Sequence, residues 1–167
     1  MRIADVLLMD FDPEIASTRR VLHLIPETDP QWTPHQKSMP IGRLAMHTAT
    51  LPKLCSTILS TPEMDMSKEK WPDFTFESTA QLLSVLEETS QEARKHLAAS
   101  SDEDLQKNWK LAFQGKTLAE GTRLRLYRTM FLNHLIHHRA QLGVYLRLLE
   151  IPLPGIYGPS ADEPFVP

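Results

Sequence analysis

With one cysteine among 167 residues, Cys55, the chain cannot form an internal disulfide, so packing must hold the fold together. That sparing use fits a reducing compartment, and the cytoplasm is the expected location. No apolar run approaches the roughly 20 residues that cross a bilayer. Asp5, Asp10 and Asp12 interrupt the apolar stretch after Arg2 before a secretory core could form. A protein with no membrane contact is therefore expected. Nor is charge of one sign concentrated anywhere. The 18 basic residues are scattered and the net charge is −3, which argues against nucleic acid as a partner. Two catalytic signatures are missing as well. Leu135 follows His134 where HExxH needs glutamate, and no GxSxG occurs.

What the chain does have is proline, 13 in all, placed as punctuation. Pro26, Pro30, Pro34 and Pro40 bracket one connection and Pro62 and Pro72 another, while Pro152 to Pro167 mark a proline-rich tail over 151–167. The stretches between them have helical periodicity. The first runs from about Asp10 to Leu24, with Asp12 as N-cap, Pro13 in the first turn, and Ile15, Thr18, Leu22 and Ile25 on one stripe. The second runs from about Pro40 to Leu59 with Leu44, His47, Leu51, Leu54 and Ile58 aligned; Pro52 should bend it one turn from His47. The third opens on a capping box at Ser78-Thr79-Ala80-Gln81, carries Leu82, Val85, Leu86, Thr89, Ala93 and Leu97, and ends near Ser100.

Residues 105–117 alternate instead, with Trp109, Leu111 and Phe113 ahead of a Gln114-Gly115 turn, and predict a short extended connection or hairpin. The fourth and strongest pattern, Tyr127, Phe131, His134, His138, Leu142, Tyr145 and Leu149, predicts one helix from about Arg123 to Glu150. The expected architecture is all-α: one domain over 1–167, a four-helix bundle with at least one crossover connection. Trp32, Trp71, Trp109, Tyr145 and Tyr157 read as packing residues, with Tyr157 the one to check for access to a pocket.

Three histidines occupy positions where their helices demand apolar residues. His134 and His138 are four apart, hence about 40° apart around a helix, and can share an ion. His47 lies on the inward stripe of the second helix, so a bundle apposing the second and fourth helices could add a third imidazole. Hydrogen-bonded core histidines are the plain alternative, since seven histidines in a chain of this length can produce such a pair by chance. His137 points about 100° away from His138 and belongs at the edge or surface. Cys55 reads as a small buried filler rather than a ligand or nucleophile. Arg139 and Gln141 could orient an imidazole or a substrate carboxylate, or make only helix-surface contacts.

The run Phe131-Leu-Asn-His-Leu-Ile-His-His-Arg-Ala-Gln-Leu-Gly-Val-Tyr-Leu-Arg147, followed by Pro152-Leu-Pro-Gly-Ile-Tyr-Gly-Pro159, resembles the last helix and tail of DinB family proteins. Trp32-Thr-Pro-His-Gln-Lys-Ser-Met-Pro-Ile-Gly-Arg-Leu-Ala-Met-His47 resembles their approach to the second helix. The likeness is weakest over 60–76 and 100–120, and Ala140 stands where glycine is common. It implies a four-helix, often dimeric protein with a divalent metal held by His47, His134 and His138. It also implies relatives that act as metal-dependent thiol transferases with low-molecular-weight thiols, a maleylpyruvate isomerase branch, and many members with no assigned reaction.

Three neutral imidazoles with an open position suit zinc or nickel first, and copper or iron as well. The function expected on this basis is a metal-dependent transferase or hydrolase acting on a small electrophile, as a homodimer. Its rival is a non-catalytic bundle that binds metal or is purely structural.

Overall fold

Ala4, Leu7, Phe11, Ile15, Thr18 and Leu22 fall three or four residues apart, and this stripe is buried along α1 (Ile3–Leu22). The computed structural model describes residues 1–69 and 74–164, so Trp71 and Pro72 lie outside the described residues. α1 starts seven residues earlier than the sequence pattern suggests. Asp5, Asp10 and Asp12 do not break it because they sit off the buried stripe. Asp5 accepts from the Arg2 N–H at 3.2 Å and Asp102 accepts from the Ile3 N–H at 2.7 Å, so two carboxylates satisfy the first-turn donors in place of Asp12. Pro13 lies inside the helix on its exposed side, where the carbonyl it leaves unpaired faces water.

The second long helix, α2 (Ile41–Ser60), continues unbroken through Pro52 and is buried over most of its circumference. The third, α3 (Thr79–Ala99), is capped by Ser78, whose hydroxyl accepts from the Gln81 N–H at 3.1 Å. Gln81 in turn accepts from the Glu77 N–H at 3.1 Å, one residue before its place in a capping box. A short α4 (Asp102–Gln106) follows.

Pairings between side chains set the helix directions. Thr89 donates to the Ala49 carbonyl, and Gly42 lies so near Pro30 and Phe76 that a Cβ there would come within 2.9 Å of both, so α2 and α3 run the same way. Arg94 with Asp12 and Arg19 with Glu87 make α1 antiparallel to α3. Two parallel neighbours in succession require a connection that returns the length of a helix, about 30 Å. Residues 61–78 make that crossover.

The all-α expectation needs correction here, because the crossover contributes a strand. β1 (Glu63–Asp65) pairs in parallel with β2 (Asn108–Phe113), which pairs antiparallel with β3 (Lys116–Thr122). The predicted hairpin over 105–117 is thus one side of a three-stranded sheet. Its turn places Gln114 at φ 50° and Gly115 at φ 76°. Asp65 pins that turn to β1: its carboxylate accepts from Ser67 Oγ at 2.7 Å and from the backbone N–H groups of Gln114 and Gly115, both at 3.2 Å. Trp109, Leu111, Ile58 and Leu126 form a second small core beneath the sheet, with Leu54, Met64, Met66 and Met130 packed against it. A strand so short and so distant in sequence from its partner leaves no readable alternation, which is why the pattern missed it.

The last helical run also departs from expectation. It is α5 (Arg123–Leu126), a π-helical turn over Tyr127–Leu132, and α6 (Asn133–Leu148). Tyr127 donates to the Leu7 carbonyl at 3.4 Å and Arg139 to the Glu14 carbonyl at 3.1 Å, so this run is parallel to α1. His47 meets His134 and Arg123 donates to the Thr61 carbonyl at 2.9 Å, which makes it antiparallel to α2. The tail is tied down by Arg147 with Asp162 and Arg20 with Glu163, and its Ile151, Leu153 and Ile156 pack on the main core. Trp32 packs edge-on against Tyr145 at 5.7 Å, and Trp109 is buried, so both are packing residues. Among the described residues no helix is long and apolar enough to cross a membrane.

Candidate metal centre

His47 sits in the second turn of α2, and His134 and His138 lie one turn apart at the start of α6. Antiparallel packing of these helices brings the three rings together, with centroids 4.5 to 5.2 Å apart. Nε2 of His134 is 2.7 Å from Nε2 of His138 and 3.5 Å from Nε2 of His47. One ring nitrogen from each lies within 4.8 Å of the others, and no other His, Cys, Asp or Glu among the described residues joins the group.

The far side of each α6 imidazole is held. Nδ1 of His138 is 2.6 Å from Gln141 Oε1, and Nδ1 of His134 is 3.3 Å from the Met130 carbonyl in the π turn. A carbonyl oxygen only accepts, so both protons sit on Nδ1 and both Nε2 lone pairs face the group. Burial pushes all three histidines below the ordinary imidazole range, His47 to about 4, with the neighbouring imidazoles adding to the shift. At neutral pH the rings are therefore neutral, the form that ligates a cation.

The residues fit a divalent ion on their chemistry. Tetrahedral zinc with bonds of 2.0 to 2.1 Å holds its nitrogens about 3.3 Å apart. The 3.5 Å pair already matches, and the 2.7 Å pair is closer than that spacing.

His47 and His134 also line a cavity of about 680 Å³, a size that suits a small-molecule site. His138 lies behind them, 8% exposed. Four of the chain's seven methionines, Met39, Met64, Met66 and Met130, line the same cavity, and Phe74 packs edge-on against His47 at 5.6 Å.

The other residues singled out by sequence divide. Gln141 orients His138. Arg139 and Tyr157 do not face the histidines. Arg139, 4% exposed, turns to α1, where it pairs with Glu14 at 2.5 Å and donates to the Tyr157 oxygen at 2.6 Å. Tyr157 donates to Glu14 at 2.7 Å, so it serves the attachment of the tail rather than a pocket. His137 is exposed and only its ring edge meets His138. Cys55 is fully buried, and burial pushes its thiol up, away from the nucleophilic form. Sequence reasoning missed Arg43, which lies four residues before His47 and lines the cavity; that spacing was the available signal. The methionines of β1 carry no such signal.

The DinB family model matches residues 5–164. The chain is 24% identical over 160 residues to the uncharacterized protein YrdA of Bacillus subtilis (strain 168), covering 95% of this chain and 90% of that one. A crystal structure of a DinB-like protein from Bacillus cereus ATCC 10987 superimposes with a TM-score of 0.67 at 20% identity, covering 90% of this chain and 95% of that one, a likeness of fold.

Proposed function

Because the chain belongs to the DinB family and gathers three imidazoles at the wall of a cavity, we propose that it is a divalent-metal-dependent enzyme. The reaction we propose is transfer of a thiol, or of water, to a small electrophile. A low-molecular-weight thiol is the favoured co-substrate and zinc or nickel the favoured metal. The observation that carries this reading is the convergence of His47, His134 and His138 with two of the rings open to a roomy cavity. A divalent ion held there supplies positive charge that lowers the pKa of a thiol or water beside it.

The chain's own residues do the rest. Gln141 and the Met130 carbonyl hold the two α6 imidazoles with Nε2 presented. Phe74, Leu51, Leu54 and the four methionines exclude water from the reacting groups, which strengthens charge interactions inside the cavity. A purely structural role is less favoured, because three imidazoles packed only on each other would not need a cavity against them.

Elemental analysis of the purified protein beside His134→Ala tests the proposal. About one equivalent of metal per chain is expected in the wild type and a small fraction of that in the variant. Equal metal content in both would remove the site. A panel of thiols against small electrophiles then tests the reaction.

A further inference from the structure

The cavity beside the histidines has an uneven chemistry. Its wall is apolar, and the two threonines in it have their hydroxyl protons engaged: Thr50 donates to the His47 carbonyl at 2.9 Å and Thr57 to the Lys53 carbonyl at 3.0 Å. Beyond the imidazoles, the charged groups lining it are Arg43, Lys53 and Glu69, all on exposed positions. Among the described residues neither Arg43 nor Lys53 makes an ion pair, whereas Arg2, Arg19, Arg20, Arg94, Arg139 and Arg147 all do. Among the described residues, two cations without an ion pair stand against one carboxylate in the lining of a chain whose net charge is −3.

Arg43 is one helical turn before His47, so the two side chains stack on one face of α2. The lining continues along α2 as far as Thr57, about 20 Å from Arg43 at the rise of a helix. The space is thus long, with Arg43 beside the histidines and a lining that is mostly apolar beyond them, Lys53 excepted.

We infer that the cavity binds an elongated apolar molecule carrying one acidic group, with the acid paired to Arg43 beside the histidines and the apolar body laid along α2 against Met64, Met66, Met130 and Leu111. Arg43 selects the anion; Lys53 adds a weaker, more distant attraction. The methionines set how broad the selection is. Their unbranched, polarizable side chains repack around different shapes, so bodies of varied outline are accepted. The inference rests on the metal reading only for what the acidic end meets.

Titration calorimetry of the full-length zinc-loaded chain with butanoate, hexanoate, octanoate and decanoate, beside the matching primary alcohols, tests it. Each added methylene tightens binding about threefold to fourfold until the cavity is full. Octanoate binds about tenfold or more tighter than octanol, the usual return for a hydrogen bond to a charged group. Arg43→Gln removes that preference and keeps octanol affinity, which also shows that the variant is folded. Lys53→Gln removes less of it.

The same titration of the chelator-treated, metal-free chain keeps both the length dependence and the acid preference that Arg43 supplies. An absence of metal binding therefore defeats the proposed function without touching this inference. Equal affinity for acid and alcohol, affinity independent of chain length, an undiminished preference in Arg43→Gln, or its disappearance in the metal-free chain would each overturn the inference.

Discussion

His138 and Arg139 are buried neighbours on α6, yet they enter two polar clusters of opposite character. The Arg139 cluster is closed. Its Nη1 donates to the Glu14 carbonyl at 3.1 Å and to Thr18 Oγ1 at 3.5 Å, and Nη2 donates to the Tyr157 oxygen. The Glu14 carboxylate answers the charge at 2.5 Å through Oε2, which makes no hydrogen bond among the described residues, and Tyr157 closes the loop by donating to Oε1. The histidine cluster is open: three imidazoles aim Nε2 at one another with no counter-charge and a cavity alongside. A buried polar group is costly unless something pairs with it. The first cluster is paired within the chain, while the second is arranged for a partner from outside. Burial of polar residues on a conspicuous helix therefore says little about function; whether their hydrogen-bonding capacity is already filled says more.

The sharpest way to break this contrast is Arg139→Ala. It leaves Glu14 buried without its cation, for which a loss of about 3 to 5 kcal/mol of stability is expected by chemical denaturation, with metal content unchanged in the protein that remains folded. A loss of metal from the folded variant would show that the clusters are not separate. Gln141→Ala is the converse. Metal affinity measured by competition with a chelator should fall about 10- to 100-fold, because His138 loses the acceptor that fixes its tautomer, while the unfolding midpoint barely moves.

Tyr157→Phe comes next, with a cost of about 1 kcal/mol. The residue is 73% exposed, so water partly takes the place of the lost hydroxyl as a partner. An effect on metal content rather than stability would return Tyr157 to the site.

The smallest effect concerns the wall of the cavity and its pH response. Hydrogen bonds from Ser67, and with them those from Gly115 and Gln114, hold the Asp65 carboxyl at about 2, below its ordinary value. A depressed folded-state pKa adds stability that is fully present above the unfolded value near 4 and is lost as pH falls through 4 towards 2. Asp65→Asn should therefore flatten the acid limb of the denaturation midpoint between pH 4 and 2 relative to wild type. An unchanged slope would mean that the pin between β1 and the Gln114-Gly115 turn contributes nothing.

Much of the architecture was legible in the chain itself. Leu44, Leu51 and Ile58 of α2, and Tyr127, Phe131, Leu142 and Tyr145 of the last helix, are buried as their spacing requires. Burial imposes a period near 3.6 that composition cannot hide. The candidate site was legible for the same reason: three histidines stood in apolar places. Three features were not legible. The start of α1 was obscured by Asp5, Asp10 and Asp12, since aspartate is read as a cap even where it merely faces water. The π turn has no sequence signal, because one residue more per turn is a choice the backbone makes under packing. β1 is too short to show alternation and owes its existence to a partner more than forty residues on.

By itself, the sequence determined the helical stripes, the placing of His47, His134 and His138 upon them, the hairpin, and the likeness to the DinB family. The stripes, the histidine placements and the hairpin follow from spacing within one segment, and the likeness from matched runs of residues. Only the tertiary structure decided that Arg139 turns to Glu14 while Gln141 turns to His138, that the Met130 carbonyl holds His134, and that Arg43 shares a cavity with methionines from a distant strand. Those outcomes depend on which helix faces which, and on a crossover that returns the chain along α2. Such long-range choices are made by the whole core at once, so no local pattern records them.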